Sequence, residues 1–128
     1  MEINRPEIVA EVEAVFARYE VALTSNDVEV LDELFHAAPT TIRYGAAENL
    51  YGIDEIRAFR LSRPSAGLQR VLHKTVITTY GSDVATASTL FYRDAAPGKV
   101  GRQMQTWVRM AQGWRVVAAH VSMIAEPA

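Results

Sequence analysis

The sequence predicts an α+β fold, a cone-shaped two-layer arrangement in which three N-terminal helices pack on a strongly bent antiparallel sheet and leave a central pocket. Three observations carry this expectation. Apolar residues recur at helical spacing as far as about residue 63, the pattern changes to alternation from Gln69 onward, and turn residues punctuate the second half of the chain. With 128 residues and no repeat, linker or low-complexity tract, residues 1–128 read as one domain. A chain of this size hides about two-thirds of the surface that its unfolded form exposes, enough for one core.

The first helix runs from Pro6 to Thr24, with Ile8, Val12, Val15, Phe16, Tyr19 and Leu23 on one stripe and Pro6 in its first turn. Thr24-Ser25-Asn26-Asp27 ends it and caps a second, short helix through Phe35. Pro39 breaks the chain, Thr41-Ile42-Arg43-Tyr44 reads as a short strand, and Gly45 to Gly52 reads as a loop. A third helix follows to about Arg63, stopped by Pro64, with Ile53, Ile56 and Phe59 available to the core. Long strands are expected at about 69–80, 84–93, 100–110 and 114–124, separated by Gly81-Ser82-Asp83, Ala96-Pro97-Gly98 and Gln112-Gly113.

Composition removes several classes of function. Without cysteine there is no disulfide, thiolate zinc site, iron–sulfur cluster or cysteine nucleophile. A net charge of −2 and a pI near 5.9 leave no basic footprint for nucleic acid. The N-terminus carries acids among its apolar residues, unlike a signal peptide, and no run approaches the ~20 apolar residues of a membrane span. A cytoplasmic protein with neither nucleic-acid nor membrane partners is expected. His36, His73 and His120 are scattered, so neither a metal nor another cofactor is expected.

The last hairpin offers a register. A two-residue turn at Gln112-Gly113 pairs Ala111 with Trp114 and sets Gln105 opposite His120. Gln103, Gln105, Trp107, Ala118, His120 and Ser122 then share one face, and Met104, Thr106, Val108, Val117, Val121 and Met123 the other. Both faces hold apolar residues, which predicts burial on both sides and a homodimer, or a higher homo-oligomer, through the convex face.

Tyr19 lies on the inward stripe of the first helix, where its hydroxyl needs a partner, either a backbone carbonyl in an ordinary core or a nearby cation in a site. Arg43 sits between Ile42 and Tyr44 in a strand, a costly place for a permanent charge unless a carboxylate or a wet cavity awaits it. Arg57, Arg60 and Arg63 follow at three-residue spacing on the third helix. Arg57 and Arg63 read as a solvated edge, whereas Arg60, four after Ile56, can turn inward. A buried phenol with an inward guanidinium suits a small planar carboxylate. His120 and Ser122, two apart on a strand, lack the geometry of a base and nucleophile.

The runs Arg43-Tyr44-Gly45-Ala46, Glu48-Asn49-Leu50-Tyr51-Gly52, Ile56-Arg57-Ala58-Phe59-Arg60 and Gly113-Trp114-Arg115-Val116-Val117-Ala118-Ala119-His120 resemble the AtzH/HpxZ family of the SnoaL-like, nuclear-transport-factor-like superfamily. The resemblance spans essentially the whole chain. It implies a cone-shaped fold and a cofactor-free amidohydrolase of nitrogen-compound catabolism. The AtzH-like branch implies decarboxylating hydrolysis of 1,3-dicarboxyurea to allophanate, and the HpxZ-like branch a ureido acid of the oxalurate and purine route. It also implies a functional link to a partner amidase, for which a non-catalytic accessory that binds an intermediate is the alternative role. The family's tyrosine and arginine pair falls on Tyr19 and Arg43, leaving Tyr44, Glu48, Arg60, Gln105 and His120 as candidates to orient the substrate.

Overall fold

In the computed structural model, which describes residues 1–127, the chain runs α1 (Pro6–Thr24), α2 (Val28–Leu34), β1 (Ile42–Tyr44), β2 (Asn49–Tyr51), α3 (Ile53–Ser62), β3 (Val71–Tyr80), β4 (Val84–Tyr92), β5 (Lys99–Met110) and β6 (Gly113–Ala125). α1 begins at Pro6, whose missing N–H costs nothing in a first turn, and buries Ile8, Val12, Phe16, Tyr19 and Leu23 along one stripe. α2 is capped by Asp27, whose carboxylate accepts the Val30 backbone N–H at 3.2 Å. α3 turns Ile53, Ile56 and Arg60 inward.

The strands form one curved six-stranded sheet in the order β2-β1-β6-β5-β4-β3. Two features depart from the expected all-antiparallel meander. β1 runs parallel to β6, with Arg43 beside Ala119, because the chain returns to the sheet centre only after the long excursion through β2 to β5. The segment expected as a loop contains β2, which pairs with β1 through a tight turn closed by Gly45 N–H to Glu48 O at 2.9 Å.

The β5–β6 register also differs from the expected one. Met110 pairs with Gly113, so Ala111 and Gln112 form the turn, and Gly113, at φ 125°, closes it instead of sitting at its centre. Between Thr106 and Trp107 the register then shifts, Trp107 facing Val116 and Thr106 facing Ala118, which leaves Val117 as a bulge. The two effects put Gln105 opposite Ala119 and Met104 opposite His120. Gln103, Gln105, Trp107 and Ala119 therefore face the helices, while Ala118, His120 and Ser122 join Met104 and Thr106 on the open face.

The core lies between layers, where Val12, Phe16, Leu31, Leu34, Phe35, Ile56, Trp107 and Val116 are buried together. Among the described residues no helix is long and apolar enough to cross a membrane.

Candidate active site

Tyr19 is buried at the contact of α1 with the sheet. Its ring meets Trp107 edge-on with centroids 6.4 Å apart and tilts against Phe35 at 6.3 Å, the offset arrangements aromatic quadrupoles prefer. Phe35 carries a second group, since the Arg60 guanidinium lies 4.2 Å over its centroid. Arg60 is buried and donates from Nη1 to Asp32 Oδ1 at 2.7 Å. Alternation in β1 sends Arg43 to the same side of the sheet, in the row of Ala119 and Gln105.

Arg43 is held by its own hairpin. Its Nη1 donates to Glu48 Oε1 at 2.8 Å, and Glu48 Oε2 accepts the Ala47 N–H at 3.2 Å. The glutamate can fold this way only over a glycine, for a Cβ at Gly45 would stand 1.7 Å from Oε1. The Arg43 guanidinium also lies 5.3 Å from the Phe59 centroid, a ring it shares with Arg63 at 5.8 Å.

A third aromatic plate completes the cluster. Phe91 lies under Arg70 at 4.5 Å and Arg93 at 5.0 Å, and its ring occupies the space that a Cβ on Gly101 would need, 2.1 Å away. Arg70 forks onto Glu20 at 2.8 and 2.6 Å and also donates to Gln103 Oε1 at 3.0 Å. Gln105 Oε1 accepts the Trp107 indole N–H at 3.0 Å. Five guanidiniums thus gather on three aromatic rings, and three of them, Arg60, Arg63 and Arg93, interact electrostatically with Tyr19.

Burial holds the Arg60, Arg63 and Arg93 guanidiniums below the usual arginine range. A phenolate at Tyr19 would oppose that shift in all three, and the charge of Arg43 reinforces it. Tyr19 and Arg43 therefore act on one electrostatic cluster. A phenol among excess positive charge is suited to carry a proton, and the surrounding forks to hold an anion.

The residues named from the sequence divide between two faces. Tyr19, Arg43, Arg60 and Gln105 lie on the side of the sheet that the helices cover, with Glu48 bonded to Arg43. Tyr44 and His120 do not, and their assignment to the same substrate is corrected: Tyr44 follows an inward Arg43 and must point outward, and the Val117 bulge turns His120 outward beside it. Their rings meet edge-on at 6.1 Å and border an open-face hollow of about 360 Å³ with Met104 and Ala118. The Tyr44 and Tyr51 hydroxyls lie 2.6 Å apart, a bond that holds Tyr51 above the usual phenol range. Ser122 accepts from Arg102 at 3.2 and 3.0 Å.

Arg63, Arg70, Arg93, Glu20 and Asp32 complete the cluster and were not assigned to it from the sequence. For two of them the placement follows from strand pairing alone. The β3–β4 ladder pairs Val71 with Tyr92, so one further step sets Arg70 against Arg93, a like-charge pair that a plain hairpin avoids. Among the described residues no group of three His, Cys, Asp or Glu could hold a metal ion.

The AtzH-like family profile matches residues 1–127. The chain belongs to the AtzH-like family. This AtzH-like chain is 64% identical to a protein of unknown function from Pectobacterium atrosepticum, with 96% of this chain and 95% of that chain covered and a TM-score of 0.94. It is 53% identical to a cystatin-like fold protein from Burkholderia xenovorans, with 99% of each chain covered and a TM-score of 0.95. A nuclear transport factor 2-like protein from Salmonella enterica, 22% identical over 95% of this chain and 94% of that chain with a TM-score of 0.73, shares the fold. No curated protein matches the AtzH-like chain.

Proposed function

We propose that this AtzH-like protein is a cofactor-independent amidohydrolase that cleaves a C–N bond in a small carboxylated urea, with 1,3-dicarboxyurea as the substrate and allophanate and carbon dioxide as the products. The observation that supports this reading is the buried phenol of Tyr19 beside a cluster of guanidiniums, with acceptor-rich anions as the natural guests of the cluster. In this reading the guests enter between the helices and the sheet, where these side chains lie.

In this reading Arg43 holds one substrate carboxylate. Glu48 uses one of its five N–H groups, and the remainder are free for a bidentate contact. Tyr19 delivers a proton to the urea nitrogen as the bond from that nitrogen to the departing carboxyl carbon breaks. The carboxyl group leaves as carbon dioxide, the nitrogen keeps the bonding electrons as an N–H, and water restores the phenol proton. The guanidiniums stabilise negative charge on the phenolic oxygen without moving, which is how a preorganised site lowers a barrier. Asp32, Glu20 and Glu48 fix the geometry of three of these arginines.

The open face of the sheet supports a homodimer. Met104 is 58% exposed there and Val76 56%, in strands whose other face is already the core, and a second copy of the same face would cover them.

The test is incubation of the pure protein with freshly generated 1,3-dicarboxyurea and, separately, with oxalurate. Carbon dioxide and allophanate from the first substrate support the reading. Binding without product supports an accessory that hands an intermediate to a partner amidase.

A further inference from the structure

The arginine cluster is not neutral. Arg43 pairs with Glu48, Arg60 with Asp32, and Arg70 with Glu20. Arg63 and Arg93 form no ion pair among the described residues; Arg63 has only a 3.5 Å contact to Asn26 Oδ1, from a neutral amide. Two half-buried positive charges are left uncompensated, and each feels the repulsion of Arg43. Such a pair is costly in a resting fold and is retained where an anion is received.

The unpartnered polar atoms point the same way. Buried side-chain nitrogens without a hydrogen-bond partner among the described residues are Arg63 Nε, Arg93 Nε, Gln103 Nε2 and Gln105 Nε2. All four are donors. The amide orientations are forced, because Gln103 Oε1 accepts from Arg70 and Gln105 Oε1 from Trp107, and neither of those groups can accept. Gln103 and Gln105 are 2% and 1% exposed, so their N–H groups are shielded from bulk solvent. Phe59 links Arg63 to Arg43, and Arg70 links Gln103 to the Phe91 plate beneath Arg93.

We infer that Arg63 and Arg93, with the amide N–H groups of Gln103 and Gln105, hold the second carboxylate of a dianionic substrate whose first carboxylate is held by Arg43, and so set a preference for dicarboxylates over monocarboxylates. The inference rests on the reading of this site as one for carboxylated ureas. The two surplus charges balance the two negative charges of a dicarboxylate. A ureido acid whose single carboxylate is held by Arg43 leaves both guanidiniums and the neighbouring amides unserved, and rejection by unpaired buried groups is steep.

The test uses stable probes. Acetonedicarboxylate places methylenes where 1,3-dicarboxyurea has N–H groups, and acetoacetate is its counterpart with one carboxylate. Calorimetric titration of the wild-type protein should show tighter binding of acetonedicarboxylate. Arg63→Gln and Arg93→Gln should each weaken acetonedicarboxylate by about ten- to a hundred-fold, the range of a lost charge-assisted contact, and leave acetoacetate unchanged. Because both arginines are uncompensated, neither substitution should lower the melting temperature of the ligand-free protein, and Arg63→Lys and Arg93→Lys should recover part of the dicarboxylate affinity. Equal losses for both probes, no loss for either, or variants that melt early would overturn the inference while leaving the carboxylated-urea reading in place. A wild-type protein that binds neither probe overturns both.

Discussion

Tyr19 and Arg60 meet on one ring: the Arg60 guanidinium lies 4.2 Å over the Phe35 centroid, and the Tyr19 ring stands 6.3 Å from the same centroid. α2 ends where Phe35 forms a bridge with Val116 of β6, so this residue couples the helix layer, the sheet and the charge cluster. Burying the ring fixes the phenol and the guanidinium relative to each other, which turns a packing decision into site geometry.

Arg43 should not tolerate lysine. The ammonium keeps the charge but loses the fork that serves Glu48 and a substrate carboxylate together. Arg43→Lys is expected to raise KM for 1,3-dicarboxyurea at least about tenfold, as loss of one charge-assisted hydrogen bond does, with circular dichroism unchanged. Wild-type KM in the lysine variant would remove Arg43 from the substrate contact.

Gly45→Ala tests the support beneath Arg43. The added methyl would lie 1.7 Å from Glu48 Oε1, so the carboxylate must leave Arg43. Stability should fall by about 1–3 kcal/mol, the usual range for overpacking, as read from urea denaturation. Glu48→Ala with Gly45→Ala should recover part of that loss, because the clash is gone; no recovery would show that Glu48 is not the neighbour that matters.

Glu11 predicts an acid limb in the stability curve. Its carboxylate accepts from Trp114 Nε1 at 2.9 Å and pairs with Arg109 at 2.6 Å, and these donors hold it below the ordinary value of 4.5. A carboxyl lowered in the folded state contributes stability that is present above pH 4.5 and disappears as the pH falls through the folded value. Glu11→Gln should therefore lower the urea midpoint near neutrality and flatten its decline below that pH. Parallel wild-type and variant curves would contradict the assignment.

Met104→Glu should separate the proposed dimer. The side chain stands on the open face between Ser88 and His120, where a carboxylate in an apolar interface is heavily penalised. Light scattering should give the dimer mass for wild type and the monomer mass for the variant, with an unchanged thermal transition in the monomer. A monomeric wild-type protein would contradict the proposal.

The helices are legible in the sequence because their apolar stripes are long and their ends carry Pro6, Asp27 and Pro64. The long strands were legible for the corresponding reason, alternation bounded by glycine. β2 was hidden because Asn49-Leu50-Tyr51 is short and lies among turn residues, and its pairing with β1 is a long-range decision. The bulge at Val117 left no local mark in Val116-Val117-Ala118-Ala119, since any of these residues can be the extra one, and it reversed the side assigned to His120. Arg43 stood out as a charge inside a strand. Arg93 did not, because charges at strand ends are ordinarily solvated, and only the pairing of β3 with β4 sets it against Arg70.

If Tyr19 moves a proton beside the arginines, single-turnover decarboxylation of 1,3-dicarboxyurea by wild-type and Tyr19→Phe proteins will reveal it. Loss of the hydroxyl should slow carbon dioxide release by about a hundred-fold or more, the lower range for a positioned proton donor, with acetonedicarboxylate affinity and melting temperature retained. A Tyr19→Phe protein that releases carbon dioxide at the wild-type rate would contradict the claim.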